Sequence, residues 1–178
     1  KKIPFGNTGS AISLGIGMVH QHFTLAENLS VLENIIIGQN SLLSLSLRKK
    51  SAKEKLIQLS NKFGLPINHS SIVSELSVSE KQRLEILKTL YRNCKLLILD
   101  EPTAALTPQE TETLFITIRK MVEAGLSVIL ISHKLNEVLS VSDRIIVLRN
   151  GKLVGETITK KSNHKSLATM IVGQEVKY

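Results

Sequence analysis

The 178-residue chain carries 23 Lys and Arg against 15 Asp and Glu, a net charge of +8, with 42% hydrophobic and 21% charged residues. These are ordinary values for a water-soluble globular domain, and no apolar run approaches the roughly 18 residues of a spanning helix, which excludes a membrane channel. The basic residues are scattered apart from Arg48-Lys49-Lys50 and Lys160-Lys161, and no aromatics interleave with them, so a solvated or lipid-facing basic surface is expected rather than a nucleic-acid partner.

The chain opens on Lys1-Lys2 rather than Met, and translation is expected to begin further upstream, with no leader visible in what is present. Residues 14–20, LGIGMVH, predict a short buried strand. Ser30 and Glu33 in SVLE form a capping-box pattern, which predicts a short helix through Ile36 or Ile37 stopped by Gly38. A polar linker follows. Ala52, Leu56, Leu59 and Phe63 then repeat at helical spacing and predict a helix over 49–63, ended by Gly64. Residues 25–75 thus read as a mostly helical insertion between elements of a sheet.

Ser77 and Glu80 in SVSE repeat the capping box and open a helix to about Arg92, with Leu84, Leu87, Leu90 and Tyr91 on one face. Cys94, the single cysteine, excludes an internal disulfide and reads as buried filler. KLLILDEPTAALT, residues 95–107, then predicts a buried strand that ends in Asp100 and Glu101. In TPQE, Thr107 is an N-cap, Pro108 the first helical residue and Glu110 the reciprocal partner, for a helix ending near Gly125. LSVILISH, 126–133, predicts another buried strand, followed by a short helix. Asn150-Gly151 between two apolar runs predicts a hairpin. Strands alternating with helices imply an α/β fold, parallel at its centre, with a late antiparallel hairpin.

In open parallel sheets ligands bind beyond the carboxyl ends of the strands, which is where Asp100, Glu101 and His133 fall. An apolar strand ending in Asp presents a carboxylate to Mg²⁺ on a nucleotide, and a second carboxylate next door suits the deprotonation of water. The bland alternative is that both acids cap a turn that Pro102 forces. A neutral His133 suits donation to a phosphate oxygen, although a His after a strand is commonly an ordinary loop residue. The helix start at Ser77–Arg83 offers backbone N–H groups and a positive dipole end to an anion, or merely a cap.

In order, Gln21 after GIGMVH, LSVSEKQR, LLILDEPTAALT one helix later, ILISHKLNEV and DRIIVLRNGK resemble the motif train of ATP-binding cassette (ABC) ATPases, over nearly the whole chain from about residue 14. MVHQHF, TAALTPQE and the closing MIVGQEV (Met170–Val176) resemble the first cassette of the tandem ATPase subunit of bacterial sugar and nucleoside importers. The resemblance implies a P-loop NTPase-like parallel sheet with a helical insertion. Residues 1–178 would be the C-terminal portion of one nucleotide-binding domain. About 25–90 would be the helical subdomain with the signature helix, and about 95–178 the remainder of the sheet core.

The same resemblance implies roles residue by residue. Gln21 would be the Q-loop glutamine, reaching Mg²⁺ through water and sensing the membrane subunit. Ser77, Val78, Ser79 and Glu80 would form the signature segment that meets the γ-phosphate of ATP on an opposite cassette. Asp100 would stand on the metal's shell, Glu101 would be the catalytic base, and His133 the switch histidine on the γ-phosphate. Residues 104–107 would form the D-loop, and 25–75 would dock a permease. His20 and His22 would be loop packing around Gln21. The implied partners are transmembrane permease subunits, a second nucleotide-binding domain and, indirectly, a solute-binding protein, at the cytoplasmic face of the membrane.

The phosphate-cradling loop G-x-x-x-x-G-K-[ST] does not occur in the 178 residues. The Gly-Lys pair at Gly151-Lys152 is followed by Leu153, and GNTGSAIS lacks the lysine. Because the family carries this loop upstream of the glutamine, a truncated cassette is expected, unable by itself to hold ATP, with sheet edges left apolar. The family also usually keeps glycine where Ser79 stands and often Asp where Thr107 stands. Two outcomes therefore stay open: a hydrolytic subunit, or a degenerate or split-gene remnant serving as an interaction module. A nucleic-acid-directed cassette fits less well with HFTLAENLSVLENI after Gln21.

Overall fold

The computed structural model describes residues 6–37 and 45–173 of the chain. Asn7 accepts from the Ser10 amide at 2.9 Å and caps a six-residue helix, α1 (Thr8–Ser13), which the sequence reading did not anticipate. Strand β1 (Ile16–Val19) follows where a strand was expected, although it is buried only at Val19 and leaves Met18 exposed, and then α2 (Val31–Ile36), opened by the reciprocal Ser30–Glu33 box. The backbone N–H and then the hydroxyl of Ser30 hold the Glu33 carboxyl down to a pKa of about 2. The expected stop at Gly38 lies outside the described residues.

Helix α3 (Leu45–Phe63) begins four residues earlier than the apolar spacing predicted. Leu45, Leu47 and Arg48 are good helix formers, so intrinsic propensity starts the helix ahead of the Ala52–Phe63 spacing. Gly64 ends it with a φ of +67°. Helix α4 (Val78–Tyr91) carries the Ser77–Glu80 box and buries Leu84, Ile86, Leu87 and Leu90, together with two polar residues, Gln82 and Glu85. It packs against α2, α3 and β1.

Strand β2 (Leu96–Asp100), helix α5 (Pro108–Glu123) and strand β3 (Ser127–Ile131) complete this part of the chain. Thr107 caps α5 with Pro108 at its first position, as TPQE predicted. The sheet is parallel in the order β1-β2-β3, with Val19 opposite Leu99 and Asp100 opposite Ile131. Leu97 and Leu99 of β2 are fully buried. The expectation of a buried strand fails at β3, where Ile129 and Ile131 are 47% and 45% exposed. An apolar run reports a strand suited to burial on both faces; β3 lies at an edge, with α5 packed on it.

β1 approaches α4 closely at Gly17, where a Cβ would lie 2.0 Å from Thr89 Cγ2 and 3.2 Å from Cys94 Sγ. Cys94 is half-buried rather than fully buried, and burial pushes its thiol pKa up. Gly17→Ala should destabilise the chain by about 1–3 kcal/mol through overpacking. A urea midpoint equal to wild type would show that the Thr89 contact can relax.

The chain divides into two compact units at Ile131/Ser132. The second unit contains α6 (Leu135–Val141), β4 (Arg144–Arg149), β5 (Lys152–Ile158) and α7 (His164–Val172). β4 and β5 form the expected antiparallel hairpin as their own two-stranded sheet, turning on Asn150 and Gly151 at φ of +50° and +73°. Positive φ at both positions is what a type I′ turn requires. Ile145 and Val147 pack on Leu167 and Met170 of α7, while Ile146, Leu148 and Leu153 are exposed. α7 was not anticipated, and residues 174–176 of the MIVGQEV segment lie outside the described residues.

Candidate active site

β1 and β2 run parallel and in register, so the segments leaving them emerge at the same edge of the sheet. His20 and Gln21 follow the buried Val19, and Asp100 and Glu101 follow the buried Leu99. Asp100 remains within the ladder opposite Ile131. Glu101 donates its backbone N–H to the Ile131 carbonyl at 2.9 Å, yet its φ is +45°. A non-glycine residue held in the left-handed region costs on the order of 1–3 kcal/mol and persists where surrounding contacts over-determine it.

Those contacts are visible on the following turn. The Ala104 N–H donates to the Glu101 carbonyl at 3.1 Å, and Thr103 is buried. The buried Gln82 of α4 donates its side-chain amide to the Pro102 carbonyl at 2.6 Å. A shallow cleft results, lined by Gln21, His20, Val78, Gln82, Glu101 and Ala104. Both His20 and His22 are exposed rather than packed.

The start of α4 borders this cleft through Val78. Ser77 is fully engaged by Glu80: its N–H and hydroxyl donate to the carboxylate at 2.9 and 2.8 Å, and its hydroxyl accepts from the Glu80 N–H at 3.3 Å. The Ser77 backbone N–H is the main reason the Glu80 carboxyl stays below its usual range. The Ser79 hydroxyl lies 3.4 Å from that of Ser77. It also helps to hold down the Glu110 carboxyl, after the larger effect of the Thr107 N–H. Residues 77–80, expected to form the signature segment, therefore adjoin the start of α5.

His133 belongs to the second unit, exposed on the turn before α6. There the Lys134 N–H donates to the Ser132 hydroxyl at 3.1 Å, and that hydroxyl donates to the buried Glu137 carboxylate at 3.1 Å. Of the expected site residues, the first unit thus gathers Gln21, Val78 and Glu101 around one cleft, with Asp100 at the adjoining strand end.

Sequence reading missed Gln82, Glu85 and Thr24. Glu85 is buried and accepts from both the N–H and the hydroxyl of Thr24, at 2.7 and 3.0 Å. The available signal was the placing of Gln82 and Glu85 one turn apart on a helix whose leucines fall on neighbouring positions, since buried polar side chains need partners.

Among the described residues no three His, Cys, Asp or Glu side chains converge on a metal position. Asp100 at the end of β2 offers a carboxylate and Gln21 on the cleft wall a carboxamide, a sparse set of hard oxygen donors. Such a set suits Mg²⁺, which takes one or two carboxylates and fills its remaining positions with phosphate oxygens and water.

Parallel strands followed by a glutamine and by a paired Asp-Glu, with a capped helix start beside the cleft, define an open α/β protein with its candidate site beyond the carboxyl ends of the strands. The family model for ABC transporters matches residues 4–104, more than half of the chain. The chain belongs to the ABC transporter family.

It is 44% identical over 168 residues to the nucleoside import ATP-binding protein NupA of Lactococcus lactis, covering 94% of this chain and 33% of that protein. It is 40% identical to the guanosine import ATP-binding protein NupO of Bacillus subtilis, covering 100% of this chain and 35% of that protein. The chain therefore spans about a third of the length of the curated relatives it matches. An ATP-binding cassette of an ABC transporter in its ADP conformation shares the fold, with 23% identity and a TM-score of 0.78 over 98% of this chain and 74% of that one. A dimeric cassette bound to ADP and Pi in a post-hydrolysis state gives 26% identity and a TM-score of 0.66, over 87% and 68%.

Proposed function

We propose that the chain is part of the ATP-hydrolysing subunit of an importer for nucleosides or sugars, and that its cleft is half of the machinery that cleaves the terminal phosphate. The observation that supports this most is the meeting of Gln21 and Glu101 at the ends of two registered parallel strands. Residues 1–178 are the later portion of one nucleotide-binding domain, with about 25–90 as its helical subdomain and about 95–178 as the rest of its core. The subunit works as one of a pair of cassettes beneath permease subunits, with a solute-binding protein acting indirectly. It is peripheral, at the cytoplasmic face. Among the described residues no helix is long and apolar enough to cross a membrane.

Glu101 accepts the proton of the water that attacks the γ-phosphorus, as the bond to the β–γ bridging oxygen breaks and ADP and phosphate form. Gln21 orients that water through its carboxamide. His133 donates a ring N–H to a γ-phosphate oxygen, and Ser77, Val78, Ser79 and Glu80 meet the nucleotide of the opposite cassette. Asp100, and Gln21 through water, would hold a Mg²⁺ brought by the nucleotide, which would supply neutralisation of phosphate charge there.

The second reading, a degenerate cassette, draws on the closed Ser77–Glu80 cap, which places a carboxylate where an anion would bind. The two separate in a completed cassette, in which the phosphate-loop segment that the family carries upstream is joined ahead of Lys1. Asp100→Asn should weaken Mg²⁺-dependent ATP binding by about 10–100-fold, read by nucleotide titration with and without Mg²⁺. Identical Mg²⁺ dependence in wild type and variant would remove Asp100 from the site.

A further inference from the structure

Glu85 is a buried carboxylate that the mechanism above leaves without a task. It is 6% exposed, and its Oε1 accepts from the Thr24 N–H at 2.7 Å and the Thr24 hydroxyl at 3.0 Å. Lys88, three residues further along α4, donates to the Thr24 carbonyl at 3.0 Å and lies 3.9 Å from the other Glu85 oxygen. Both backbone polar groups of Thr24 are therefore held by side chains of a single helix, more than sixty residues away in sequence. An apolar residue at 85 would pack there without the desolvation cost of a carboxylate; only an acceptor engages an amide and a hydroxyl together.

Thr24 lies three residues past Gln21, in a segment with neither helix nor strand. The segment is fixed again at Ala26, whose N–H and carbonyl meet the buried Asn34 side chain at 2.8 and 3.0 Å. One turn before Glu85, Gln82 holds the Pro102 carbonyl beside Glu101. Residues 82, 85 and 88 recur every three positions along α4, so one strip of the helix grips the two segments that carry Gln21 and Glu101.

We infer that Glu85 is a positioning residue: through Thr24 it sets where the Gln21 side chain stands in the cleft. This rests on the role given to Gln21 above. It makes α4, which begins with the signature segment, the body that holds the water-orienting and proton-accepting groups in register.

Two measurements test it. In the 178-residue chain, NMR hydrogen exchange should show a protected Thr24 amide that loses protection in Glu85→Ala and keeps part of it in Glu85→Gln, which retains an acceptor. Equal exchange in wild type and Glu85→Ala overturns the inference whatever the chain does with nucleotide. In the completed cassette, ATP turnover is compared for Gln21→Ala, Glu85→Ala and the double variant. Gln21→Ala should lower kcat about a hundredfold and Glu85→Ala about tenfold, with KM for ATP little changed, as expected when a reacting group is misplaced.

If Glu85 acts through Gln21, the double variant falls no lower than Gln21→Ala alone. Additive losses would assign Glu85 to stability alone and overturn the inference while leaving the role of Gln21 intact. Full turnover in Gln21→Ala would instead overturn that role, and the inference with it. Should Glu85→Ala fail to fold, Glu85→Gln serves in the same cycle with a smaller loss, and the same non-additivity decides.

Discussion

Glu101→Gln in the completed cassette is expected to lower ATP turnover by about 10²–10⁴-fold, the range that a general base contributes, while nucleotide stays bound. Gln matches the shape of Glu and tolerates the same turn, in which residue 101 sits at a φ of +45° with its N–H bonded to Ile131. The substitution therefore removes the proton acceptor and leaves the strand end, the Pro102 turn and the cleft as they are. Single-turnover hydrolysis, together with retention of labelled ATP on the protein, measures both parts. Unchanged hydrolysis would mean that Glu101 is not the base and that its left-handed backbone serves only the turn.

The 178-residue chain alone should show neither saturable binding of Mg-ATP at millimolar concentrations nor hydrolysis, and joining the phosphate-loop segment should restore both. Positioning and avoided reorganisation can supply about 7–11 kcal/mol of a barrier, and for phosphoryl transfer they are most of what a protein provides. The cleft described here has Gln21 and Glu101 on its walls, but the sequence contains no G-x-x-x-x-G-K-[ST] to hold phosphates before them. Isothermal titration and a phosphate-release assay on the two proteins make the comparison. Glu101-dependent turnover by the 178-residue chain would refute it.

Features that depend on three or four neighbouring residues were legible in the sequence. The boxes at Ser30, Ser77 and Thr107, and the turn at Asn150-Gly151, formed as written because donor and acceptor lie within one helical turn or one hairpin. α7 escaped notice for the same physical reason. Its Asn163–Ser166 box is complete in space, but Ser rather than Glu or Gln stands at the third position, so the pattern gives no signal.

Family membership and the pairing of Asp100 with Glu101 at a strand end were likewise determined by sequence alone, since they rest on residue types in order. The tertiary structure decided the rest. Only folding shows that β3 lies at an edge and leaves Ile129 and Ile131 exposed, that Glu101 turns through a left-handed backbone, and that Glu85 reaches Thr24 across 61 residues. Burial and long-range hydrogen bonds belong to pairs of segments, and no single stretch of chain contains both partners.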